Sequence, residues 1–318
     1  MIELVAESEA MREIVRLAER VAPTDANVLI TGESGTGKEA LALFIHARSR
    51  RAEGAYIKID CAALPGQLLE AELFGYERGA FTGATESRPG RLEAAHRGTL
   101  VLDEIAHLSI DAQAKLLRVI ERREFERLGG GRTIKVDARL IALTNVDLQD
   151  AIKRRAFRED LFYRLNVVHL HVPPLRERRA DIGALAQQFV PLYAAKHGRR
   201  ASRLAPEALA LFDSYEFPGN VRELANAVER AVIVSEGTRI EAGDLPAALR
   251  AAVALQQKRA RRPTLEEVEA EYISETLVAA KGNKSEAARW LGISRKNLYE
   301  KLARYERKGK GRRDAGAQ

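Results

Sequence analysis

The chain has 318 residues, of which 46% are hydrophobic and 31% are charged, a composition typical of folded globular proteins and not of disordered or fibrous ones. At about 150 residues per domain, this length suggests about two domains. No apolar run approaches the roughly 18 residues of a membrane span, and residues 1–7 lack the basic start and apolar core of a signal peptide. We therefore expect a cytoplasmic protein without membrane contact. The single cysteine, Cys61, excludes an intramolecular disulfide and a Cys-based zinc site, and we expect it to be structural.

The positive charge lies at the C-terminal end. Residues 1–249 hold 35 Lys+Arg and 36 Asp+Glu, a net −1, whereas residues 250–318 hold 17 and 9, a net +8, and together they make the total of +7. A near-neutral body with a cationic C-terminal segment indicates a polyanionic partner for that segment, most simply nucleic acid. A solvated tail is the alternative.

Short apolar strands alternate with helical patterns through the first half of the chain. The predicted strands cover residues 27–31, 55–60, 99–103 and 139–144, and the predicted helices cover 40–48, 64–74, 111–121 and a segment entering the 150s. Continuous apolar strands that alternate with helices predict an α/β fold with a parallel sheet covered on both faces.

The strand pattern stops after residues 171–174, and a helical pattern follows. Pro206 suits a first helical turn and Pro218-Gly219 a break between helices. The predicted divisions are an α/β subdomain at 1–173, an all-helical subdomain at 174–249, a basic linker at 250–263, a small helical domain at 264–306 and a disordered tail at 307–318.

The segment that follows the first strand, Gly32-Glu33-Ser34-Gly35-Thr36-Gly37-Lys38, fits the phosphate-loop pattern and opens a helix. Its glycines let backbone N–H groups turn onto phosphate oxygens, and Lys38 can reach the terminal phosphates. We therefore predict a nucleotide site, with a tight structural turn as the alternative. Glu39 stands where the general pattern has a magnesium-binding hydroxyl, so the metal would depend more on other carboxylates.

Two carboxylates end the third predicted strand. We expect Asp103 to hold hydrated magnesium and Glu104 to orient and polarise the attacking water. A solvated pair at the end of a strand is the alternative. Asn145 follows Thr144 at the end of another strand and could contact the same water or the γ-phosphate, although such a pair alone is an ordinary strand-to-turn signal.

These motifs resemble those of the sigma-54-dependent transcription activators, the bacterial enhancer-binding proteins of the AAA+ class, over nearly the whole chain. The phosphate loop through Glu39 matches the family's GESGTGKE, and Gly79-Ala80-Phe81-Thr82-Gly83-Ala84 matches its GAFTGA signature. Residues 157–165 resemble the family's arginine-finger segment, and residues 218–224 resemble its second sensor. The resemblance implies an AAA+ phosphate-loop ATPase core with a helical lid, using ATP and Mg2+.

The resemblance also implies a ring, from dimer to hexamer, in which arginines of one subunit reach the γ-phosphate held by its neighbour. Arg158 and Arg164 are the candidates, and a same-helix ion pair with Asp160 is the alternative for Arg164. Arg222 would touch the phosphates of its own subunit.

For Arg222, the alternative is a pairing with Glu223 or Glu229. Residues 79–84 would form a mobile loop that contacts sigma-54, with the Phe81 ring unshielded. A Phe81 folded inward as an anchor is the alternative.

The chain departs from the family at the end of its second strand, where an asparagine usually holds the catalytic glutamate and this chain has Asp60. An ionised carboxylate cannot donate to Glu104 and would repel it. A shared proton, an intervening water or Lys58, or a different control all remain open. Asp60 leaves an alternative function, an ATP-binding, DNA-bound repressor or scaffold with weak hydrolysis.

Residues 282–302 predict a helix, a tight turn and a second helix. Asn283 with Glu286 makes a start like a capping box, Gly292 makes the turn, and Ser294 caps the second helix. The inner face would hold Ala287, Leu291, Ile293, Leu298 and Leu302.

This segment resembles the Fis-type helix-turn-helix of many family members. The residues expected to contact DNA are Ser294, Arg295, Lys296, Asn297, Lys301 and Arg304. A small bundle with a solvated basic face is the alternative. We expect dimerisation through residues 264–281, with Tyr272, Ile273 and Leu277 in the contact.

The implied function is an ATP-driven activator that remodels the sigma-54 RNA polymerase holoenzyme, promotes open-complex formation and binds double-stranded enhancer DNA. The loop at residues 79–84 disfavours a generic unfoldase or helicase loader. Because the first predicted strand begins at residue 27, no room is expected for a receiver or ligand-sensing domain. Control would then come from expression level, a separate regulatory protein or a domain outside this chain.

Overall fold

A computed structural model describes residues 4–260 and 264–314. The chain divides into two compact units, one ending at Ala247 and the other beginning at Ala248. Residues 261–263 of the predicted linker and 315–318 of the predicted tail lie outside the described residues.

The first unit joins a parallel sheet to a helical lid. Its helices are α1 (Glu9–Val21), α2 (Lys38–Ala47), α3 (Gly66–Phe74), α4 (Arg91–Ala94), α5 (Ile110–Arg122), α6 (Leu148–Lys153), α7 (Glu159–Leu165), α8 (Ala180–His197), α9 (Pro206–Ser214) and α10 (Asn220–Val234). Its strands are β1 (Val28–Thr31), β2 (Tyr56–Asp60), β3 (Gly75–Tyr76), β4 (Arg88–Pro89), β5 (Thr99–Asp103), β6 (Glu124–Glu126), β7 (Thr133–Lys135), β8 (Arg139–Thr144), β9 (Val168–His171), β10 (Arg203–Leu204) and β11 (Arg239–Ile240).

The central sheet has the strand order β2-β5-β8-β1-β9, and every pairing in it is parallel. The predicted α/β fold with a parallel sheet is therefore confirmed. Asp60 pairs in register with Asp103, and Thr31 pairs with Thr144, so the carboxyl ends of these strands meet at one edge. The edge strand β9, which the sequence did not predict, pairs with β1.

Alternate side chains of the strands fill a core on each face of the sheet. Leu29, Leu100 and Leu140 belong to one core, and Val28 and Val101 belong to the other. This alternation follows from the two-residue period of a strand. Because both faces are covered, the strands carry the continuous apolar runs seen in the sequence.

A buried arginine joins α1 to the sheet. Arg139 is 1% exposed and donates hydrogen bonds to the carbonyls of Val21 (3.1 Å), Ala22 (2.7 Å) and Ala26 (3.2 Å). The first two carbonyls lie at the C-terminal end of α1, where a cation also offsets the helix dipole. The contact holds the C-terminal end of α1 against the sheet.

Two antiparallel hairpins extend from the α/β layer. Strands β3 and β4 form one, and strands β6 and β7 form the other. Leu128 joins the hairpins, because its N–H donates to the carbonyl of Gly75 (3.0 Å) and its carbonyl accepts from the N–H of Glu77 (2.9 Å). The first hairpin carries residues 79–84.

Helix α11 (Ala247–Ala260) begins at the last residue of the first unit, and its other residues belong to the second unit. The second unit also contains α12 (Leu265–Ala279), α13 (Lys284–Trp290) and α14 (Arg295–Asp314). Helix α11 occupies most of the predicted linker, and α14 continues to Asp314, beyond the predicted start of the tail at 307. Across 4–260 and 264–314, no helix is both long enough and apolar enough to cross a bilayer.

Candidate nucleotide site and helix-turn-helix surface

The phosphate loop joins β1 to α2 and forms one wall of a cleft of about 400 Å³. Helix α2 begins at Lys38, and Gly37 precedes it with a left-handed φ of 99°. The Lys38 Nζ donates to the loop carbonyls of Gly32 (2.8 Å) and Glu33 (3.1 Å). Burial lowers the pKa of Lys38, and the carboxylates of Glu104 and Asp103 oppose that shift.

The cleft brings together most of the residues predicted to bind the nucleotide. Its lining residues are Ser34, Gly35, Thr36, Gly37, Lys38, Glu39, Ala40, Leu43, Asp103, Glu104, Val221, Arg222 and Ala225. The phosphate loop, the end of β5 and the lid helix α10 therefore line the same cleft. The predicted residue Asn145 instead lines a neighbouring cavity of about 420 Å³ that also includes Gly32 and Glu33.

The chain turns at Glu104, after the end of β5, and the Glu104 carboxylate is held by the segment that follows β8. Its backbone is left-handed, with φ 51°, a conformation that is uncommon outside glycine. One of its carboxylate oxygens accepts a hydrogen bond from the N–H of Asn145 (3.2 Å). Asn145, which we expected to contact the attacking water or the γ-phosphate, thus contacts the predicted catalytic glutamate through its backbone.

Asp60 lies beside Asp103 in the sheet, but its carboxylate oxygen Oδ1 accepts from the N–H of Ala62 (2.9 Å). Among the described residues, no hydrogen bond joins Asp60 to Glu104. Lys58 contacts Asp103 (3.0 Å) instead, and it also contacts Glu39 (2.6 Å). The described residues therefore show no direct contact through which Asp60 could control Glu104.

The lid contacts the phosphate loop through Arg222. Its Nη1 donates to the hydroxyl of Ser34 (2.9 Å), and its backbone N–H donates to the carbonyl of Gly35 (3.3 Å). A Cβ at Gly35, where φ is +78°, would lie 2.5 Å from the carbonyl oxygen of Gly219. Only glycine allows this close approach. The predicted alternative for Arg222 is not observed, since Glu223 binds Tyr215 and Gly219, and Glu229 binds Lys196 and His197.

Asn220, which we did not single out from the sequence, also links the lid to the loop. It is fully buried, and its Nδ2 donates to Glu33 Oε2 and to the carbonyl of Ser34, both at 3.1 Å. Its Oδ1 accepts from the N–H of Leu175 (2.8 Å). Arg176 adds a two-pronged contact with Glu33 (2.6 and 2.9 Å). Hydrogen bonds from Arg176 and then Asn220 lower the pKa of Glu33 to about 2.

A second buried chain of contacts runs from the loop through the lid to the N-terminal helix. Arg178 donates to the carbonyl of Thr36 and lies 3.9 Å from the carboxylate of Asp181. The fully buried Asp181 carboxylate accepts from the N–H groups of Glu7 and Ser8, each at 2.7 Å, and from the Ser8 hydroxyl at 2.9 Å. Ser8 is the N-cap of α1. The sequence does not indicate these contacts, because a charged helix start is usually a solvated surface.

The two candidate arginine fingers are not among the residues that line the cleft, and Arg164 is exposed whereas Arg158 is half-buried. Arg158 makes a two-pronged contact with Asp160 (2.7 and 3.0 Å), and Arg164 pairs with Glu121 at 3.1 Å. The alternative of an Arg164–Asp160 pair is therefore wrong. Ion pairs at the protein surface contribute little to stability, so both arginines can change partners at little cost.

Residues 79–84 form a compact turn at the tip of the first hairpin. The N–H of Gly79 donates to the carbonyl of Ala84 (2.9 Å), and the N–H of Ala84 donates to the carbonyl of Phe81 (3.0 Å). The Phe81 ring is 37% exposed and meets Tyr76 edge-on, with ring centroids 5.0 Å apart. The expectation of an unshielded ring is thus corrected, because Tyr76 covers part of it. Nor is Phe81 a buried anchor.

In the second unit, α12, α13 and α14 pack around a small core. Its buried residues are Ile273, Ala280, Ala287, Ala288 and Leu298, with Leu277, Leu291, Ile293, Leu302 and Tyr305 packed against them. The predicted inner face is therefore observed. Ile273 is buried in this core, which corrects its predicted place in a dimer contact, whereas Leu277 is half-buried against the core and Tyr272 stays 62% exposed.

The predicted turn and caps of the helix-turn-helix are present. Gly292 has a left-handed φ of 67°, and the Ser294 hydroxyl accepts from the N–H of Asn297 (3.2 Å). The Asn283 side chain caps α13 by accepting from the N–H groups of Ser285 (3.1 Å) and Glu286 (3.2 Å). These caps fix the starts of both helices.

The residues of α14 that are predicted to contact DNA fall into two groups. Arg295, Lys296 and Asn297 are exposed at the start of the helix. Lys301 and Arg304 instead contact carboxylates of α12, at 2.6 Å to Glu269 and 3.1 Å to Glu266. Their predicted role as DNA contacts must compete with these ion pairs.

Three models of known protein families match successive segments of the chain. The model of the Sigma-54 interaction domain matches residues 4–171, that of the AAA+ ATPase lid domain matches 176–262, and that of the Fis family of bacterial regulatory proteins matches 264–305.

Among curated proteins, the chain is 48% identical over 310 residues to the regulatory protein AtoC of Escherichia coli (strain K12), covering 95% of this chain and 67% of that protein. It is 45% identical over 331 residues to the transcriptional regulatory protein FlbD of Caulobacter vibrioides, covering 99% and 71%. Among solved structures, NtrX from Brucella abortus in complex with ATP superposes with a TM-score of 0.73 at 38% identity, covering 95% and 69%.

Proposed function

Because the chain belongs to the sigma-54-dependent transcription activators of the AAA+ class, we propose that it remodels the sigma-54 RNA polymerase holoenzyme by hydrolysing ATP and so opens promoters. The observation that carries the proposal is the single cleft in which Lys38, Asp103, Glu104 and Arg222 meet. The structural relative with bound ATP supports the same nucleotide here.

The cleft supplies each group that phosphoryl transfer needs. The loop N–H groups and the Lys38 ammonium bind the phosphates, and Arg222 adds a cation from the lid. Glu104 orients the attacking water, and the N–H of Asn145 fixes the position of its carboxylate. A displacement of the Asn145 backbone would therefore move the Glu104 carboxylate directly.

The donor set suits a hard divalent cation. Asp103 and Glu104 present carboxylate oxygens to the cleft beside the phosphate loop, and such oxygens are the ligands that Mg2+ prefers. Asp103 would hold the ion together with the phosphates. When bound, Mg2+ polarises phosphoryl oxygens and offsets the charge that develops on them.

The arginine fingers serve the site of a neighbouring copy in a ring of up to six subunits. Arg158 and Arg164 lie outside their own cleft, the first half-buried and the second exposed. Two apolar side chains beside Arg164 also face outward, Tyr163 at 65% and Val167 at 61% exposed. Such exposed apolar groups favour contact with a second chain. A copy that lends Arg164 to its neighbour would give up only a weak ion pair with Glu121.

The loop at residues 79–84 contacts sigma-54, with Phe81 and Thr82 at its tip. Support comes from the exposure of Phe81 and from the position of the loop at the end of a hairpin. The second hairpin reaches this loop, because a Cβ at Gly129 would lie 2.8 Å from the Cβ of Ala80. A change in the position of one hairpin would therefore displace the other.

The C-terminal unit binds double-stranded enhancer DNA in the cytoplasm. Ser294, Arg295, Lys296 and Asn297 at the start of α14 are exposed and suited to the major groove. Two copies would pair through exposed apolar residues of α12, which include Leu265, Val268, Tyr272 and Val278. Lys301 and Arg304 would act mainly by holding α14 against α12.

Open-complex formation with sigma-54 polymerase tests the proposal. The natural chain should form open complexes with ATP, whereas Glu104→Gln should bind ATP without opening the promoter. Thr82→Ala should hydrolyse ATP yet fail to open it. Promoter opening by Glu104→Gln at the natural rate would exclude hydrolysis as the driving step, and DNA and ATP binding with no opening by the natural chain would indicate a repressor or scaffold.

A further inference from the structure

Lys58 stands between two carboxylates at the edge of the nucleotide cleft. Its ammonium lies 2.6 Å from Glu39 and 3.0 Å from Asp103. The Lys58 side chain is 31% exposed and that of Asp103 is 19% exposed. This lysine therefore joins the first turn of α2 to the end of β5.

The fold places Lys58 there through two neighbouring elements. Within β2, Ile59 belongs to the core on one face of the sheet, so Lys58 projects from the opposite face, where α2 packs. Its backbone is in register with Val101, two residues before Asp103 on β5. Glu39 comes to the same point from the first turn of α2.

The phosphate end of the cleft carries an excess of negative charge without this lysine. Glu39, Asp103 and Glu104 line the cleft, whereas Lys38 and Arg222 are the cations among its lining residues within 4–260 and 264–314. Glu39 adds a charge where the general pattern has a neutral hydroxyl. A nucleotide triphosphate is itself a polyanion, so uncompensated carboxylates at this end oppose its binding.

Lys58 is well suited to compensate that charge. An ammonium group has three donors and no acceptor, so it can bind both carboxylates together. Its two contacts, at 2.6 Å to Glu39 and 3.0 Å to Asp103, hold the ammonium between the two carboxylates.

We propose that Lys58 is a positioning residue for the ATPase reaction: it acts as a fixed counter-cation that neutralises Glu39, orients the Asp103 carboxylate and lets the cleft accept ATP before the divalent metal arrives. This inference rests on the nucleotide site of the proposed function. Once Mg2+ is bound, its charge takes over part of the compensation. The contribution of Lys58 to nucleotide binding is therefore greatest when metal is absent.

Binding of a fluorescent ATP analogue by the full-length chain, with EDTA and with saturating Mg2+, tests this inference. In EDTA, Lys58→Met should raise the dissociation constant about fivefold or more, because a nearby unit charge is lost at a partly screened site. With Mg2+ the deficit should fall to less than about twofold. Lys58→Arg, which keeps the charge, should resemble the natural chain in both conditions.

Two further variants separate this role from a general structural one. Glu39→Gln combined with Lys58→Met should recover most of the metal-free affinity, because the double change removes both members of the pair. Lys153→Met, which breaks an exposed ion pair with Asp150, is the matched control and should have no effect.

Equal weakening with and without Mg2+, or no recovery in the double variant, would overturn the inference. Unchanged binding by Lys58→Met would overturn it as well. If the natural chain itself failed to bind the analogue, the proposed nucleotide site would be wrong instead.

Discussion

Replacing Asn220 should uncouple the lid from the phosphate loop. In Asn220→Gly, the left-handed backbone at φ 53° is kept without strain, but the side chain's three contacts are lost. The N–H of Leu175, which is fully buried, would have no acceptor, and an unpaired buried amide costs about 1–3 kcal/mol. Loss of the donors to Ser34 and Glu33 adds to this cost.

We expect the free energy of unfolding of the first unit to fall by about 2 kcal/mol, measured by urea denaturation followed by far-ultraviolet circular dichroism. ATP affinity should fall about tenfold, equivalent to about 1.4 kcal/mol, because the backbone at Glu33 and Ser34 is no longer held by the lid. Asn220→Ala should be less stable than Asn220→Gly by about 1 kcal/mol, owing to its left-handed backbone. Natural stability and ATP affinity in Asn220→Gly would refute this reasoning.

Three further predictions concern ion pairs and hydrogen bonds. Because the pKa of Glu33 is lowered to about 2 from 4.5, its stabilising contribution is fully present above pH 4.5 and is lost as the pH falls towards 2. Glu33→Gln should make the free energy of unfolding depend less on pH over that window in an acid titration. An unchanged pH dependence would contradict this. Asp181→Asn should loosen the start of α1, seen as faster hydrogen exchange at Ser8, whereas full protection there would count against the link. Arg295→Ala should weaken operator binding and reduce its salt dependence in fluorescence anisotropy. Lys301→Met should chiefly lower the melting temperature of the second unit. Weaker operator binding by Lys301→Met and a lower melting temperature of Arg295→Ala would instead show that Lys301 is the DNA contact.

The parts of the site that lie close together in sequence could be predicted. The loop from Gly32 to Lys38 has its chemistry and its structural context within one strand–loop–helix segment, and Asp103-Glu104 end an apolar strand. Local pattern fixes such features, because hydrophobic periodicity marks the elements and glycines mark the turn.

Contacts between residues distant in sequence could not be predicted. Asn220 reaches Glu33 and Ser34 across more than 180 residues, and Asp181 reaches Ser8 across 173. Each polar side chain is buried only because the lid folds onto the loop, so the sequence around it resembles an ordinary helix start. Short edge strands are also difficult to predict from sequence. Strand β9 has two histidines within four residues, which weakens its apolar pattern.

Charge patterns predicted the sign of surfaces but not the partners of individual residues. The excess of basic residues after residue 250 indicated nucleic acid, yet Lys301 and Arg304 lie against carboxylates of the preceding helix. Asp60 was expected to repel Glu104, whereas its carboxylate binds the N–H of Ala62. The partners of each charged side chain depend on strand register and helix packing, and neither can be predicted from amino-acid composition.

ATP turnover is proposed to move the loop at residues 79–84 against sigma-54. This coupling can be measured as binding of sigma-54 to the assembled chain in the presence of ADP and aluminium fluoride, an analogue of the hydrolysis transition state. We expect a stable complex with the natural chain, none without nucleotide, and none with Thr82→Ala even though that variant still binds the analogue. Equal binding of sigma-54 in all three cases, or in none, would refute the coupling.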